Sequence, residues 1–481
     1  MSRAGRRGAL PNVVLMVLDA VRADALEPYG APRGSSPVLA KLARQGLAVP
    51  DVRATAAWTL PSHTAMFTGT LARSLGLGQA PHQTPQSAAG TVRAERDRLL
   101  AAVLSQAGYV SRGLTTNVWV GPRAGFDAGF DEFVELTTSR HGALGGSLRS
   151  RLSWMREAVS ARADDGAREA QQVLRTWLGR ASDAPFFWFI NVVECHSPYL
   201  PPKPYAGAGA FTRVRAAHEA QQYLTFEAIV RTALGQVTIP PGALERMRLL
   251  YASSLRYVDR WMGDMLGALQ TAGVLDDTLV VVCSDHGENL GEGGKIAHSM
   301  SLDDRLLRVP LVVAGPGCEA FGGMRSLVEL PFRIAQAVRL REHPWDAGLP
   351  AGLPVAQWDP FVLTEPALAE LRNQWQLDDG AVRQLTEPLT CAIAGEFKLM
   401  RGADPEQEWL YDLRADPLEL TPIRGGESIS GRAGDLIGEL RAALNHPDVQ
   451  SSVDTTTAGS EDLAAEETAD IERRMRLMGY L

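Results

Sequence analysis

The sequence predicts an α/β protein whose main sheet is largely parallel and lies between two layers of helices. Short runs that are apolar at every position are typical of parallel strands buried on both faces. Such runs occur at residues 12–19, 185–196, 278–288 and 309–317. Amphipathic stretches that end in glycine, which predict helices, lie between them at residues 36–46, 98–108 and 257–273. This alternation predicts a sheet with helices on both faces, and ligands collect at the carboxyl ends of strands in such sheets.

The length of 481 residues predicts a large domain and a smaller appendage. We place the α/β domain at residues 1–345, because the following sequence becomes rich in Pro, Gly and loops. Residues 346–427 are predicted to form a subdomain whose segments 395–401 and 408–419 pair in a small antiparallel sheet. Residues 428–481 are predicted to be helical, with a flexible polar stretch at 450–462.

The charge, the apolar runs and the cysteines of the sequence limit the functions that the protein can have. A net charge of −8 argues against a nucleic-acid partner, and no run approaches the ~20 apolar residues of a membrane span. Four cysteines without framework spacing predict reduced thiols and a cytoplasmic location. The basic start and the short apolar run that follows it imitate a secretory signal. That run leads directly into acidic residues, however, and predicts a buried strand instead.

The segment AAWTLPSHTAMFTG, residues 56–69, predicts a sharp turn that enters a helix near Pro61. Its hydroxyls have two interpretations. Ser62 or Thr59 could cap the helix. Alternatively, one hydroxyl is a nucleophile, placed where the helix amides attract an anion.

Metal-capable side chains follow two of the predicted strands. Asp19 comes at the end of the first, and Asp285 and His286 end the third. Asp19 alone could equally be a helix cap. An Asp-His pair at a strand end is costly to bury without a cation or partner, and carboxylate with imidazole suits zinc, manganese or a similar divalent ion.

Further polar residues stand near other predicted strand ends. Glu194 and His196 are predicted to alternate onto one face of a strand. The alternative for His196 is a structural histidine that caps the strand end. His298 follows a glycine-rich loop beside the Asp-His pair, a place where a histidine taken alone is usually a surface residue.

Taken together, these motifs resemble, in the same order, those of the sulfatases and their relatives in the alkaline phosphatase superfamily. The segments that carry the resemblance are residues 12–26, 58–69, 107–133, 194–202, 258–299, 308–317, 409–419 and 471–481. The resemblance implies a three-layer α/β sandwich of the alkaline phosphatase/sulfatase type, followed by a smaller C-terminal α+β subdomain with a short antiparallel sheet.

The resemblance also implies roles for individual residues. Asp19, Asp285 and His286 match positions that bind a divalent metal, which could be zinc, manganese, calcium or magnesium. Thr59 stands where the family places its nucleophile, itself a metal ligand. His196 and His298 match histidines that contact the transferred anionic group. In two-metal relatives they help to hold a second ion, which here would recruit His196, His298 or Glu194.

The departures from the family pattern lie around the nucleophile. Sulfatases carry Cys or Ser in the pattern C/S-x-P-S-R and oxidise it to formylglycine. Here the residue is Thr59, whose oxidation would give a ketone. His63 replaces the supporting arginine and is counted among the predicted catalytic residues. Residues 115–121 lack the lysine and histidine that grip sulfate, and Ala20 replaces a second metal-binding Asp.

These departures favour transfer of a phosphoryl group, from a phosphate or phosphonate ester, through a Thr59 nucleophile. Metal coordination would lower the pKa of the threonine hydroxyl and hold it in line. One alternative is a sulfuric ester hydrolase or sulfuryl transferase that works without formylglycine. The other is a non-catalytic binding protein. The expected substrate is a small anionic ester, whose organic part the sequence does not indicate, and no oligomeric state is implied.

Overall fold

The computed structural model of the protein describes residues 10–78, 85–136, 148–180, 184–298, 300–346, 348–360, 365–423 and 432–450. The strands are β1 Asn12–Leu18, β2 Leu47–Ala48, β3 Val52–Arg53, β4 Val110–Thr115, β5 Glu132–Glu135, β6 Phe186–Val192, β7 Thr278–Cys283, β8 Asn289–Leu290, β9 Ile296–Ala297, β10 Arg308–Val309, β11 Leu311–Ala314, β12 Val355–Trp358, β13 Leu389–Ala394, β14 Phe397–Arg401 and β15 Glu408–Asp412. The helices are α1 Pro37–Gln45, α2 Thr59–Thr68, α3 Pro85–Ala94, α4 Leu100–Gln106, α5 Leu148–Ser160, α6 Ala167–Gly179, α7 Ala210–Tyr223, α8 Phe226–Ala233, α9 Pro241–Thr271, α10 Asp304–Leu307, α11 Leu330–Ala337, α12 Glu365–Trp375, α13 Asp379–Thr386, α14 Arg432–Leu444 and α15 Pro447–Gln450.

The central sheet has seven strands in the order β2-β11-β7-β1-β6-β4-β5. Strands β7, β1, β6, β4 and β5 are parallel to one another, which confirms the first three predicted strands. The fourth predicted strand exists as β11, but the prediction that it is parallel was wrong, because it runs antiparallel to β7. The intervening chain remains at the carboxyl end of β7, where the Gly287 amide bonds to the Leu306 carbonyl (2.8 Å). The chain therefore re-enters the sheet from that end.

Each face of the sheet is covered by its own apolar layer. On β1, Val13, Leu15 and Val17 pack with residues of α2, α4 and α11. The alternating residues Val14 and Met16 pack with residues of α1, α6, α7 and α9. Because successive strand residues point to opposite faces, a strand that is apolar throughout can sit between two helix layers. The predicted three-layer sandwich is confirmed.

The C-terminal part contains an antiparallel sheet in the order β12-β13-β14-β15. The predicted pairing of 395–401 with 408–419 is the β14–β15 pair, whereas β12 and β13 were not predicted. Helix α14 packs on this sheet through Leu440 and Leu444. The fully buried ammonium of Lys398 in β14 donates to the carbonyl of Leu302 (2.8 Å) and ties the sheet to the main domain. The predicted flexible stretch from residue 451 and the family-like ending at 471–481 lie outside the described residues.

The helices predicted at 36–46 and 98–108 correspond to α1 and α4. The helix predicted at 257–273 is α9, but its predicted start was wrong, because α9 begins at Pro241. Charged residues such as Glu245 and Arg248 interrupt the sequence there, yet Met247 and Leu250 continue the buried stripe. Among the helices that the structure describes, none is both long and apolar enough to cross a bilayer.

Candidate active site

The candidate site lies at the carboxyl ends of the parallel strands. Asp19 directly follows β1, and Asp285 and His286 follow β7. Thr59 is the first residue of α2, and Asn117 follows β4. Neighbouring parallel strands end at the same edge of a sheet, so these residues meet although they are far apart in sequence. All five are buried, with at most 1% of each residue exposed.

The two carboxylates and the imidazole that were predicted to bind metal form one cluster. One ligand atom from each of Asp19, Asp285 and His286 can be chosen so that all lie within 4.8 Å of one another. The Nε2 atom of His286 is 3.4 Å from Oδ2 of Asp285 and 3.8 Å from Oδ1 of Asp19. Neither of these two carboxylate oxygens has a hydrogen-bond donor. Buried acceptors without a donor are rare in proteins and need an explanation.

The electrostatics of this cluster fit a cation. Burial, followed by the nearby Asp285 charge, raises the pKa of Asp19 to about 6, and burial raises the pKa of Asp285 to about 7. Burial also lowers the pKa of His286 to about 3, so its imidazole is neutral. Its Nδ1–H donates to the Gly287 carbonyl (2.9 Å), which leaves the Nε2 lone pair facing both carboxylates. Three electron-rich atoms face one another, an arrangement that a divalent ion would neutralise.

Backbone contacts fix the loops that carry these ligands. The Ser284 hydroxyl bonds to the Leu18 carbonyl (2.5 Å) and accepts from the Val21 amide (2.8 Å), so the ends of β1 and β7 are joined. Ala20 has a left-handed backbone (φ 59°) and points its amide at Oδ1 of Asp285 (3.3 Å). Asp19 does not cap the following helical turn, whose N-cap is Arg22. Its Oδ2 instead accepts from Asn117 (2.8 Å).

Thr59 presents its hydroxyl to this cluster. Its Oγ1 lies 3.5 Å from Nε2 of His286 and 3.3 Å from Nδ2 of Asn117. Helix α2 has Trp58 as its N-cap and no side-chain capping hydrogen bond, so capping by Thr59 or Ser62 was the wrong interpretation. Ser62 lies further into the helix, where its hydroxyl donates to the backbone carbonyl of Asp285 (2.6 Å).

His63 lies beneath Thr59 and away from its hydroxyl. Its Nδ1 is 3.0 Å from the Thr59 carbonyl and 3.5 Å from Oδ2 of Asp285. The ring makes edge contacts with Phe126 and Phe189, and its Nε2 has no hydrogen-bond partner. Burial lowers the pKa of His63 to about 3, so the residue that replaces the family arginine is neutral. Its contact with the Thr59 carbonyl supports the backbone at the start of α2.

A second group of histidines borders the cluster. The His298 ring lies 4.5 Å from the His286 ring and 4.8 Å from the His196 ring, measured between centroids. His298 Nδ1 contacts Oε1 of Glu288 (3.1 Å), and the Tyr199 hydroxyl donates to the other oxygen of that carboxylate (2.8 Å). Burial, followed by His196, lowers the pKa of His298 below its ordinary value. His298 is therefore a buried neighbour of the cluster, not a surface residue.

Glu194 has a different place from the predicted one. Strand β6 ends at Val192, so neither Glu194 nor His196 lies on a strand. Oε1 of Glu194 accepts the amides of Asp165 and Ala167 (2.9 and 3.0 Å) at the start of α6, where a carboxylate satisfies free helix amides. Within the part of the chain that the structure describes, Asp19, Asp285 and His286 are the one group with metal-ligand spacing.

Asn117 is the site residue that the sequence prediction missed. Its Oδ1 accepts the Trp119 amide (3.0 Å), so Nδ2 points at Asp19 and Thr59. The available signal was its position in the segment 115–121, where the family carries sulfate-gripping residues. The rings of Trp58 and Trp119 pack edge to face (5.2 Å between centroids), and both tryptophans belong to the hydrophobic core on the α2 side of the sheet.

Comparison with known proteins shows what this chain is similar to. The family model described as Sulfatase matches residues 11–321. Choline-sulfatase of Rhizobium meliloti (strain 1021) is 34% identical over 186 residues, which cover 37% of this chain and 33% of that protein. Arylsulfatase K of Gallus gallus is 26% identical over 309 residues, covering 58% and 55% respectively. The chain thus spans about a third to about half of the length of these curated relatives. The structure of the phosphonate monoester hydrolase of Agrobacterium radiobacter is similar in fold, with a TM-score of 0.59, 19% identity and coverage of 90% of this chain and 96% of that one.

Proposed function

The chain belongs to the sulfatase family, and on that premise we propose that it is a metal-dependent esterase or transferase that moves a phosphoryl group through Thr59. The observation that carries the proposal is the place of the Thr59 hydroxyl, at the start of α2 and 3.5 Å from the free ring nitrogen of His286. A threonine at this position cannot be converted to the aldehyde that sulfatases use. This supports a hydroxyl, rather than a hydrated aldehyde, as the nucleophile in our proposal.

The metal site consists of Asp19, Asp285 and His286, with Thr59 as a further oxygen ligand. These residues offer carboxylate oxygens, an imidazole nitrogen and a hydroxyl, a donor set that suits zinc, manganese, magnesium or calcium to different degrees. When bound, a divalent ion lowers the pKa of a coordinated hydroxyl and neutralises negative charge on a transferred group. We also expect His196 or His298 to join a second ion, if the protein uses one.

In the proposed reaction, each residue of the site would have its own role. Thr59 attacks phosphorus, the bond to the ester oxygen breaks, and a phosphothreonine forms while the alcohol leaves with a proton. Water or an acceptor alcohol then releases the phosphoryl group and restores the hydroxyl. The start of α2, which carries no side-chain cap, presents its positive end to the anionic group. His196 and His298 border the same space and would contact that group, and His63 holds the Thr59 backbone.

A second candidate function is hydrolysis or transfer of a sulfuryl group by Thr59 without formylglycine. The family membership and the similarity to a choline-sulfatase favour it. A phosphoryl group is preferred because the protein has Asn117 and His63 where the family places charged groups around its sulfate. A non-catalytic role stays as a third proposal, although a binding protein has no need for both a metal cluster and an adjacent hydroxyl.

The deciding experiment is a paired assay on metal-reconstituted protein. Purified protein is stripped with a chelator, reloaded separately with zinc, manganese, magnesium and calcium, and assayed on an aryl phosphate, a phosphodiester, an aryl phosphonate monoester and an aryl sulfate. We expect metal-dependent turnover of a phosphorus ester that exceeds turnover of the sulfate. Faster turnover of the sulfate would replace the phosphoryl proposal by the sulfuryl one. No turnover of any ester would favour the binding role.

The remaining proposals concern the substrate, the partners, the cellular location and the state of residue 59. We propose that the substrate is a small anionic ester, because the residues around the reactive hydroxyl are buried. We further propose that neither nucleic acid nor a membrane is a partner and that the protein works in the cytoplasm. Residue 59 should remain unmodified threonine, which mass spectrometry of its tryptic peptide tests directly.

A further inference from the structure

We propose that Asn117 is a positioning residue that holds the nucleophile in place through its side-chain amide. The inference rests on the proposed function, since it assigns a role beside a reacting Thr59. Asn117 carries no charge, cannot exchange a proton in catalysis, and is buried with 1% exposure. Its contribution is therefore a fixed pair of N–H donors aimed into the site.

The direction of the amide is set by three hydrogen bonds. Oδ1 of Asn117 accepts the backbone amide of Trp119 (3.0 Å), so Nδ2 is directed the opposite way. One N–H then reaches Oδ2 of Asp19 (2.8 Å), and the other reaches Oγ1 of Thr59 (3.3 Å). A single side chain thus fixes the distance between a metal-binding carboxylate and the attacking oxygen.

The backbone around Asn117 is held from the neighbouring strand. The amide of Asn117 donates to the Thr115 hydroxyl (2.9 Å), and that hydroxyl donates to Oδ1 of Asn191 at the end of β6 (2.9 Å). The buried ends of β4 and β6 therefore hold the backbone of Asn117 in place. Rigid support of this kind is what keeps a reacting group within the narrow limits of a productive geometry.

The donor acts on the oxygen in a specific way. Because Thr59 Oγ1 accepts a hydrogen bond from Asn117, one of its lone pairs is occupied and the hydroxyl proton must point elsewhere. Negative charge that develops on Oγ1 as it loses this proton strengthens a hydrogen bond from a fixed donor. The amide therefore favours the reacting state over the resting state, and its loss should lower kcat more than it raises KM.

The test uses Asn117→Ala and Asn117→Asp, with Gln357→Ala as the matched control. Asp keeps the shape of Asn but has no N–H donor. Gln357 is also a buried side-chain amide, but its Nε2 donates to the Val449 carbonyl (3.1 Å), outside the hydrogen bonds that hold Asn117 and Thr59. We expect both Asn117 variants to lose about 10²-fold in kcat, the effect of removing one preorganised donor, while KM changes by less than about threefold. The metal content and thermal midpoint of Asn117→Ala should match those of Gln357→Ala, whose kcat should stay within about threefold of the parent.

A readout without turnover separates this inference from the proposed function. With Co²⁺ as the probe metal, the visible spectrum reports the ligand arrangement. We expect Asn117→Ala to shift the spectrum toward that of Thr59→Ala, whereas Gln357→Ala leaves it unchanged. Unchanged kcat in both Asn117 variants, an equal loss in Gln357→Ala, or a parental Co²⁺ spectrum in Asn117→Ala would overturn the role of Asn117. If the parent protein turns over no ester, the proposed function fails and the Co²⁺ spectrum still decides whether Asn117 positions Thr59.

Discussion

The two halves of the site differ in both chemistry and origin. The metal corner, formed by Asp19, Asp285 and His286, is assembled from the ends of two adjacent strands and faces inward with acceptor atoms. The nucleophile corner, formed by Thr59, His63 and Asn117, comes from the start of a helix and the loop after β4. It faces the metal corner with a hydroxyl and neutral N–H donors.

The difference shows where the family pattern can change. By the sequence resemblance, the metal corner keeps the family pattern at its three positions, whereas the nucleophile corner departs from it at Thr59, His63 and the segment around Asn117. The side chains of the metal corner are fixed by the register of β1 and β7, so a substitution there leaves buried charge without a partner. The nucleophile corner has neutral groups where the sequence resemblance implies charged ones, so its chemistry can change while the fold is kept.

The largest expected effect comes from removing the proposed nucleophile. Thr59→Ala should lower kcat by about 10³-fold or more, because the attacking oxygen is lost. The protein should remain folded and still bind metal through Asp19, Asp285 and His286, with a lower affinity because one oxygen ligand is lost. Thr59→Ser keeps the hydroxyl and should retain part of the activity. Steady-state kinetics and elemental analysis measure both effects, and parental turnover by Thr59→Ala would remove the nucleophile corner from the mechanism.

A smaller effect, on metal binding, is expected when one carboxylate of the metal corner is replaced by an amide. Asp285→Asn keeps the shape but removes the charge, and should weaken divalent metal binding by more than the about 10–100-fold caused by loss of an outer-shell partner. Chelation should lower the thermal midpoint of the parent protein but not that of the variant. The control is Asp259→Asn, a buried carboxylate that caps α1 by accepting the amides of Val38 and Leu39. Equal metal content in the parent and Asp285→Asn would reject the site.

The sequence was sufficient for most of the metal corner and for little of the nucleophile corner. Asp19 and Asp285 follow uniformly apolar strands, and parallel strands end at one edge, so their meeting could be predicted. Asn117 could not, because its role depends on the direction of an amide that is set by the Trp119 backbone. The same limit applies to Ser62, whose partner is a carbonyl on a distant loop. Strand periodicity likewise does not encode direction, so β11 was predicted with the wrong orientation.

A third prediction concerns pH and tests whether the metal corner consists of protonated carboxyls when metal is absent. Burial raises the pKa of Asp285 to about 7 and that of Asp19 to about 6, so metal must displace protons from both at lower pH. The pKa of His286, lowered to about 3, adds no competing proton in this range.

Metal affinity should therefore be nearly constant above about pH 7.5, fall as the pH drops through about 7, and fall more steeply below about 6, approaching tenfold per pH unit for each proton displaced. Competition with a chelator of known affinity, corrected for its own protonation, measures this dependence. An affinity that stays constant from about pH 5.5 to 8 would mean that the carboxyls are already ionised without metal.

The smallest expected effect lies at Ser62, which ties helix α2 to the loop after β7. The Ser62 hydroxyl on α2 donates to the Asp285 carbonyl (2.6 Å), so Ser62→Ala leaves a buried acceptor without its donor and should cost about 1–2 kcal/mol in the free energy of unfolding. Catalysis should fall by less than about tenfold, since Thr59 and the metal ligands keep their own contacts. Thr64→Ala is the matched control, because its hydroxyl bonds within the same helix to the Leu60 carbonyl (2.8 Å) and makes no contact with the Asp285 loop. Denaturant unfolding and kcat are measured for both variants. A loss of turnover in Ser62→Ala as large as that of Thr59→Ala would contradict the assignment of Thr59 alone as the reacting hydroxyl. Ser62 would then have to be assigned to the reaction as well.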